Sequence, residues 1–293
     1  MRRYLLPLTI ALLSCTASGD KNDTGEEVDT DPAEVELEPG VNELTLEQEV
    51  EGVLVERSFL VHLPDDYDGS ASTPLLFAFH GSGGIPDEFV GQFGPPVQGG
   101  EFVGVYPTGI AASWNIEREE SKADDVAFTA MILEALEGLP GIDTSRPVGF
   151  GFSNGAALIQ KISIESDLFV AIVPQVSQLL ESNQPQNDSA KVSVMQFMGT
   201  EDESCPYEGG VGVLGYNFMP AEESAQAWAD HNNCDATATE IQIDEHVKME
   251  WENCENDRRV IHYKMNGVGH GVPDEIDGGS NARVIEFLLE ARQ

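Results

Sequence analysis

RPVGFGFSNGAAL, residues 146–158, is the stretch on which the reading of this chain turns. An apolar run leads into Gly151-Phe152-Ser153-Asn154-Gly155, and a helical run, NGAALIQKISIE, leads away from it. The frame G-x-S-x-G is a weak signal alone, because serine between glycines is common in turns. Between a strand and a helix it gains a physical meaning. The turn there is so sharp that bulky neighbours would clash, and the serine is pushed out beyond the strand end. Ser153 would then stand at the N-terminus of the following helix, where the helix dipole favours developing negative charge. A small residue in an ordinary turn is the plainer alternative.

Working outward, VLVERSFLVHL (53–63) has strand character, and PLLFAFHG (74–81) and EFVGVYP (101–107) look like buried strands. ADDVAFTAMILEALEGLPG (123–141) carries apolar residues at helical spacing and ends in glycines. After the Ser153 turn, FVAIVPQV (169–176) and VSVMQFMG (192–199) are further buried runs. AEESAQAWADHNN is helical, TEIQIDEHV and RRVIHYKM alternate like strands, and NARVIEFLLEARQ is an amphipathic closing helix. Strands alternating with helices predict an α/β protein, with a mostly parallel central sheet and helices on both faces.

The chain has 293 residues, 41% of them hydrophobic, with a formal net charge of −37. Such acidity argues against nucleic acid as a partner, since phosphates are met by clustered Lys and Arg. An acidic tail does not account for it. Residues 20–38 hold nine acids and one lysine, which leaves about −31 on residues 39–293. The start, MRRYLLPLTIALLSC, pairs a basic opening with an apolar run too short to span a bilayer, as in a signal peptide over residues 1–14. Leu12-Leu13-Ser14-Cys15 resembles a bacterial lipobox, in which Cys15 would be lipidated; ordinary cleavage nearby is the alternative. Residues 15–40 then read as a lipid-bearing acidic tether, and 41–293 as the folded domain. The expectation is an exported monomer, on a bacterial cell envelope or secreted, touching membrane only through that anchor. Three cysteines remain, Cys205, Cys234 and Cys254. In an oxidising compartment one pair is expected, and Cys234–Cys254 is favoured, leaving Cys205 as a thiol. No Cys or His spacing suits a metal.

A serine hydroxyl needs a base. Of the histidines downstream, His231 lies in a helical run, and His246 and His262 lie in or beside strands. His270 lies in NGVGHGVPD, a glycine-rich loop between the last strand and the last helix, able to swing an imidazole over strand ends. The orienting acid should follow a strand, and Glu201, Asp202 and Glu203 all do; composition leaves the three close. An oxyanion needs donors. The N–H of Asn154 is one, and the loop FAFHGSGG (77–84) offers Ser82 N–H, with Gly83 in reserve. His80 braces this loop.

Taken in series, these segments resemble the secreted feruloyl esterase and polyhydroxybutyrate depolymerase family of α/β-hydrolases. ERSFLVHLPDDYDGSASTPLLFAFHGSGG is similar to its opening strands and oxyanion loop, and VGVYPTG with SWN (113–115) to its next strand and bordering aromatic. DDVAFTAMI is similar to a helix start whose acid falls at Asp125, GFSNGAAL to the nucleophile turn, MGTEDESCPYEGG to the acid loop, and GVGHGVP to the histidine loop. WADHNNC and WENC resemble segments joined by a disulfide, which supports Cys234–Cys254. Ala156 stands where a second glycine is usual, Gly271 and Val272 where an aromatic is usual, and Cys205 is unusual in the acid loop.

The resemblance implies the α/β-hydrolase fold and a serine carboxylesterase. It puts Asp202 at the acid of a Ser153–His270–Asp202 triad, with Asn154 and Ser82 as oxyanion donors and no metal or organic cofactor. Trp114 would border the acyl group together with Gly83, an ordinary core tryptophan being the alternative. The implied substrate is a feruloyl or other acyl ester on plant polysaccharide. A polyhydroxyalkanoate polyester is the second reading, and a non-catalytic glycan-binding surface lipoprotein the third.

Overall fold

The computed structural model describes residues 37–292. The expected leader, the expected lipidation at Cys15 and most of the expected tether fall outside the described residues. The chain opens with a hairpin of β1 (Gly40–Val50) and β2 (Val53–Leu63), paired antiparallel along their whole length. The turn is Glu51-Gly52, both at positive φ, the backbone that matches the twist of paired strands. β1 was not anticipated from sequence. It begins at Gly40, and Leu37 already packs against the core, so residues 37–40 belong to the domain and not to the tether.

β3 (Thr73–Phe79), β4 (Val103–Pro107), β5 (Ile142–Phe152), β6 (Ala171–Gln175), β7 (Ser193–Gly199) and β12 (Val260–Met265) are mutually parallel. They form the centre of a ten-stranded sheet ordered β1-β2-β4-β3-β5-β6-β7-β12-β11-β10. β10 (Thr239–Ile243) and β11 (His246–Trp251) make an antiparallel hairpin on the far edge. Sequence alternation alone merges TEIQIDEHV into one strand; the chain reverses at Asp244, another residue at positive φ. A separate two-stranded ribbon pairs β8 (Gly210–Val211) with β9 (Asn217–Phe218).

Helices cover both faces. On one, α3 (Asp125–Leu136), α4 (Asn154–Glu165) and α5 (Ala221–His231) bury Phe128 and Ile132, Leu158 and Ile162, and Trp228 against the sheet. On the other, the short α1 (Asp87–Gln92) and α2 (Gly94–Gln98) contribute Phe89, Phe93 and Val97, and α6 (Ser280–Glu290) contributes Val284, Phe287 and Leu288. α1 and α2 are too short to show a helical period, and sequence does not reveal them. Strands buried on both faces explain why the central segments read as continuous apolar runs. Cys234 and Cys254 form a disulfide, while Cys205 is free and buried.

One buried polar cluster ties α5 to the sheet. His262, fully enclosed on β12, takes a hydrogen bond at Nδ1 from Gln196 Nε2 (3.0 Å) and gives one from Nε2 to the Tyr207 hydroxyl (2.9 Å). Tyr207 in turn donates to Glu222 (3.1 Å). Burial pushes the His262 imidazole down from 6.5 to about 4. Between those values the unfolded chain takes up a proton that the folded chain refuses. Stability therefore falls as pH drops from 6.5 towards 4, by on the order of 3 kcal/mol from this group. His262→Gln should be less stable than wild type at pH 7, with the gap in urea midpoint narrowing by pH 4.5. A gap that does not change with pH would refute this.

Candidate active site

The C-terminal ends of β3, β5, β6, β7 and β12 all open on one edge of the sheet, and the loops leaving them build the site. The centre is the turn from β5 into α4. Ser153 occupies φ 54°, ψ −116°, a backbone conformation that costs a non-glycine residue about 1–3 kcal/mol. Two glycines make the turn possible. A Cβ on Gly151 would stand 2.3 Å from the Gly155 carbonyl oxygen, and one on Gly155 would stand 2.1 Å from that of Phe79. The Ser153 N–H is tied to Gln175 O on β6 (2.9 Å), and its carbonyl accepts from Ala157 N inside α4 (3.1 Å). Strain at one residue is thus fixed from both sides.

The loop after β12 brings His270 to this serine. His270 Nε2 lies 2.8 Å from Ser153 Oγ, and Nδ1 lies 2.7 Å from Asp202 Oδ2. With Nδ1–H donating to the carboxylate, Nε2 is left to accept the serine proton. Asp202 follows β7 and is buried, whereas Glu201 and Glu203 on either side are exposed. Of the three acids that composition left close, Asp202 is the one whose carboxylate meets His270. Its second oxygen accepts the N–H groups of Ser204 (2.8 Å) and Cys205 (2.9 Å). The acid and histidine loops are cross-tied by Glu201 N to Val268 O and by Gly267 N to Thr200 Oγ1, both 2.9 Å. None of the other histidines downstream of Ser153 reaches it. His231 faces Ala190 O, while His246 and His262 are buried elsewhere.

The Asn154 side chain locks the loop after β4. Its Oδ1 accepts from Trp114 N (2.7 Å) and Ser113 Oγ (3.1 Å), and its Nδ2 donates to Trp114 O (3.1 Å). Trp114 is wholly buried. Its indole N–H donates to His80 O (2.8 Å), and its ring packs edge-on against Phe79. The expectation that Trp114 borders a substrate is therefore corrected: it is a core residue beneath the loop that carries Ser82. His80 is also buried. Nδ1 donates to Gly81 O (2.8 Å), Nε2 accepts from Gly109 N (3.1 Å), and burial holds its pKa below the ordinary value. Gly83 is corrected as the reserve donor, because its N–H is spent on Ala112 O (2.7 Å). Ser82 and Asn154 both line the cleft beside Ser153.

That cleft, about 180 Å³, is walled by Ile116, Val213, Leu214, Tyr216 and Phe218, with Glu119 buried at its side. Sequence reasoning missed all six. Glu119 Oε2 accepts from Ile116 N (2.8 Å), Glu117 N (3.1 Å) and the Tyr216 hydroxyl (2.8 Å), which welds the loop after β4 to the β8–β9 ribbon. Behind it, the buried pair Arg57–Asp125 (2.8 Å) anchors the same loop, since Asp125 also accepts from Asn115 N (2.7 Å). Burial raises the Asp125 carboxyl, and Arg57 opposes that rise. Cys205 also lines the cleft, but burial and the neighbouring Asp202 charge push its thiol up to about 12, which keeps it protonated and a poor nucleophile. Among the described residues no group of His, Cys, Asp and Glu could hold a metal ion, and no helix is long and apolar enough to cross a membrane.

No family model matches the chain. Feruloyl esterase B of Piromyces equi is 24% identical over 241 residues, covering 74% of this chain and 43% of that protein. Probable feruloyl esterase C of Aspergillus niger is 26% identical over 192 residues, covering 63% and 65%. The chain thus spans less than two thirds of the length of either relative. Among solved structures, acetyl xylan esterase from Aspergillus awamori superposes with a TM-score of 0.55 at 13% identity, covering 79% of this chain and 93% of that one. A poly(3-hydroxybutyrate) depolymerase from Bordetella parapertussis gives 0.53 at 12% identity, covering 84% and 88%. At these identities the structural likeness is one of fold.

Proposed function

We infer that this α/β-hydrolase, of the feruloyl esterase and polyhydroxybutyrate depolymerase family, is a serine carboxylesterase working through an acyl-enzyme. One observation carries the reading: the unbroken chain Ser153 Oγ–His270–Asp202, with both links under 3 Å, set on a strained turn at a helix N-terminus. Backbone strain is tolerated at sites where pre-organisation matters, and Ser153 holds φ 54°.

In this reading His270 Nε2 takes the Ser153 proton as Oγ attacks the ester carbonyl. The carbonyl oxygen becomes an oxyanion, held by the N–H groups of Asn154 and Ser82 with help from the α4 dipole. Asp202 keeps Nδ1 protonated and balances the imidazolium. Collapse expels the alcohol, which takes its proton from His270. Water, deprotonated by the same imidazole, then attacks the acyl-enzyme, releasing the acid and restoring Ser153. Residues of the chain supply every proton transfer.

The apolar walls of the 180 Å³ cleft suit an aryl or short acyl group. Named relatives act on feruloyl esters, so the substrate proposed is an acyl ester, feruloyl in the first instance, on plant polysaccharide. Offered methyl ferulate and polyhydroxybutyrate film, the protein should release ferulic acid and leave the film intact. Erosion of the film without turnover of methyl ferulate would replace this reading with the polyester one. Inertness towards both, and towards p-nitrophenyl acetate, would sink the enzyme reading and leave a binding protein.

A further inference from the structure

The acyl cleft has two walls of different origin. Ile116 and Glu119 belong to the loop after β4, whereas Val213, Leu214, Tyr216 and Phe218 belong to the β8–β9 ribbon. The ribbon has two residues in each strand, too few to hold a shape by pairing alone. Val211, Val213 and Leu214 are all exposed on it, so little apolar packing fixes its tip. Where the ribbon sits is therefore decided by its ties to neighbouring loops.

Those ties are of two kinds. Towards the loops after β6 and β7 they include backbone bonds: Val213 N to Ser204 O (2.8 Å), Met219 N to Leu179 O and Glu181 N to Asn217 O (both 3.0 Å). Towards the loop after β4 they rest on side chains. The Tyr216 hydroxyl donates to Glu119 Oε2 (2.8 Å) and accepts from Arg118 N (2.9 Å) and Glu117 N (3.0 Å). Arg118 Nη1 donates to Gly215 O (2.6 Å), and its guanidinium lies 5.3 Å from the centre of the Tyr216 ring. Among the described residues, every hydrogen bond from the β4 loop to the ribbon ends on Tyr216 or Gly215. Burial and the Glu119 carboxylate raise the Tyr216 hydroxyl well above the ordinary phenol range, so it stays a donor.

We propose that Glu119 and Tyr216 form a latch that closes the acyl cleft and sets the length of acyl group it admits. The assignment rests on the esterase reading above and adds a specificity determinant to it. With the latch closed, the β4 loop and the ribbon meet at this bond, and an acyl chain lying between them stops there. Ile116, Val213, Leu214 and Phe218 give such a chain apolar contact up to that point. A longer chain has to part a hydrogen bond between two buried groups and leave a carboxylate short of a donor, which is costly. With the latch released, the ribbon hinges on its backbone ties to the loops after β6 and β7. The walls separate, and a longer chain gains apolar surface along the ribbon. The latch touches none of the reacting atoms and acts through the position of a wall. Glu119 itself is a poor target for substitution, because its Oε1 reaches Asn154 Nδ2 (3.4 Å) and the oxyanion side would be disturbed too.

The p-nitrophenyl esters of acetate, butyrate and octanoate test this, since they differ only in acyl length. In wild type, kcat/KM should fall at least about tenfold from butyrate to octanoate. Tyr216→Phe keeps the ring in the wall and removes only the hydroxyl. It should raise the octanoate-to-butyrate ratio about fivefold or more, chiefly through a lower KM for octanoate, as added methylenes find apolar surface. Arg118→Ala, at an exposed position outside the cleft, should move the ratio the same way by about twofold, and it answers the question should Tyr216→Phe not fold. Amide hydrogen exchange over residues 210–218 should quicken in both variants. A wild-type ratio near one, or a ratio unmoved in the variants while exchange quickens, overturns the length gate. Ratio and exchange both unmoved overturn the latch itself. Each of these leaves the esterase reading standing. Wild type inert to all three esters overturns that reading, and the latch with it.

Discussion

Ser153→Ala is expected to lower kcat for p-nitrophenyl acetate by about 10⁴- to 10⁶-fold, with the fold intact. Without Oγ no acyl-enzyme forms, and what remains is the modest acceleration of an oxyanion site acting on water attack. Stability should barely change, because alanine at φ 54° meets the same steric penalty as serine. Ser153→Gly separates the two aspects. It should be equally inactive, yet more stable than Ser153→Ala by roughly 1 kcal/mol, because glycine occupies positive φ without a Cβ clash. Rates of hydrolysis with thermal melts of all three proteins check both statements. Activity in Ser153→Ala equal to wild type would mean that the serine is a turn residue and nothing more. A glycine variant no more stable than the alanine variant would mean that the turn stores no strain.

How far the sequence could be read depends on how local each requirement is. The turn at Ser153 is legible in part because Gly151 is demanded by the start of the helix that follows it, whereas the demand on Gly155 comes from Phe79, far away in the chain. The order of serine, acid and histidine is legible because each follows a recognisable strand. The choice of Asp202 over Glu201 and Glu203 is a matter of burial and came only through family likeness. Trp114 shows the limit most clearly. Its neighbours in sequence suggest a rim, but whether an indole faces a cleft or the core is decided by His80 O, 34 residues away, which takes its N–H. The cleft walls at Val213, Leu214 and Tyr216 lie on a short ribbon with no period to detect. Arg57 and Asp125 meet across 68 residues, and their pairing leaves no local mark beyond a charge within an apolar strand. β1 escaped notice because Glu43, Glu47 and Glu49 take exposed positions along it and leave no clear apolar run.

Asp202→Asn should be nearly as damaging to turnover as loss of the serine, by about 10⁴-fold in kcat at neutral pH, with a smaller effect on KM. The reason is the tautomer and not the geometry. An asparagine can still accept the N–H groups of Ser204 and Cys205 with its oxygen, as Asp202 Oδ1 does. Its amide nitrogen then faces His270 Nδ1 and donates to it. The imidazole proton moves to Nε2, which now donates to Ser153 Oγ and can no longer accept its proton. The positive charge that forms on His270 in the transition state also loses its buried counterion, a charge-assisted bond worth about 1.5–3 kcal/mol. Glu201→Gln and Glu203→Gln, one residue to either side and both exposed, should leave kcat within about twofold, because neither carboxylate contacts the imidazole. Steady-state kinetics on p-nitrophenyl acetate distinguish the three. A loss of less than tenfold in Asp202→Asn, or a larger loss in either glutamate variant, would move the acid away from Asp202 and break the chain of hydrogen bonds on which the esterase reading stands.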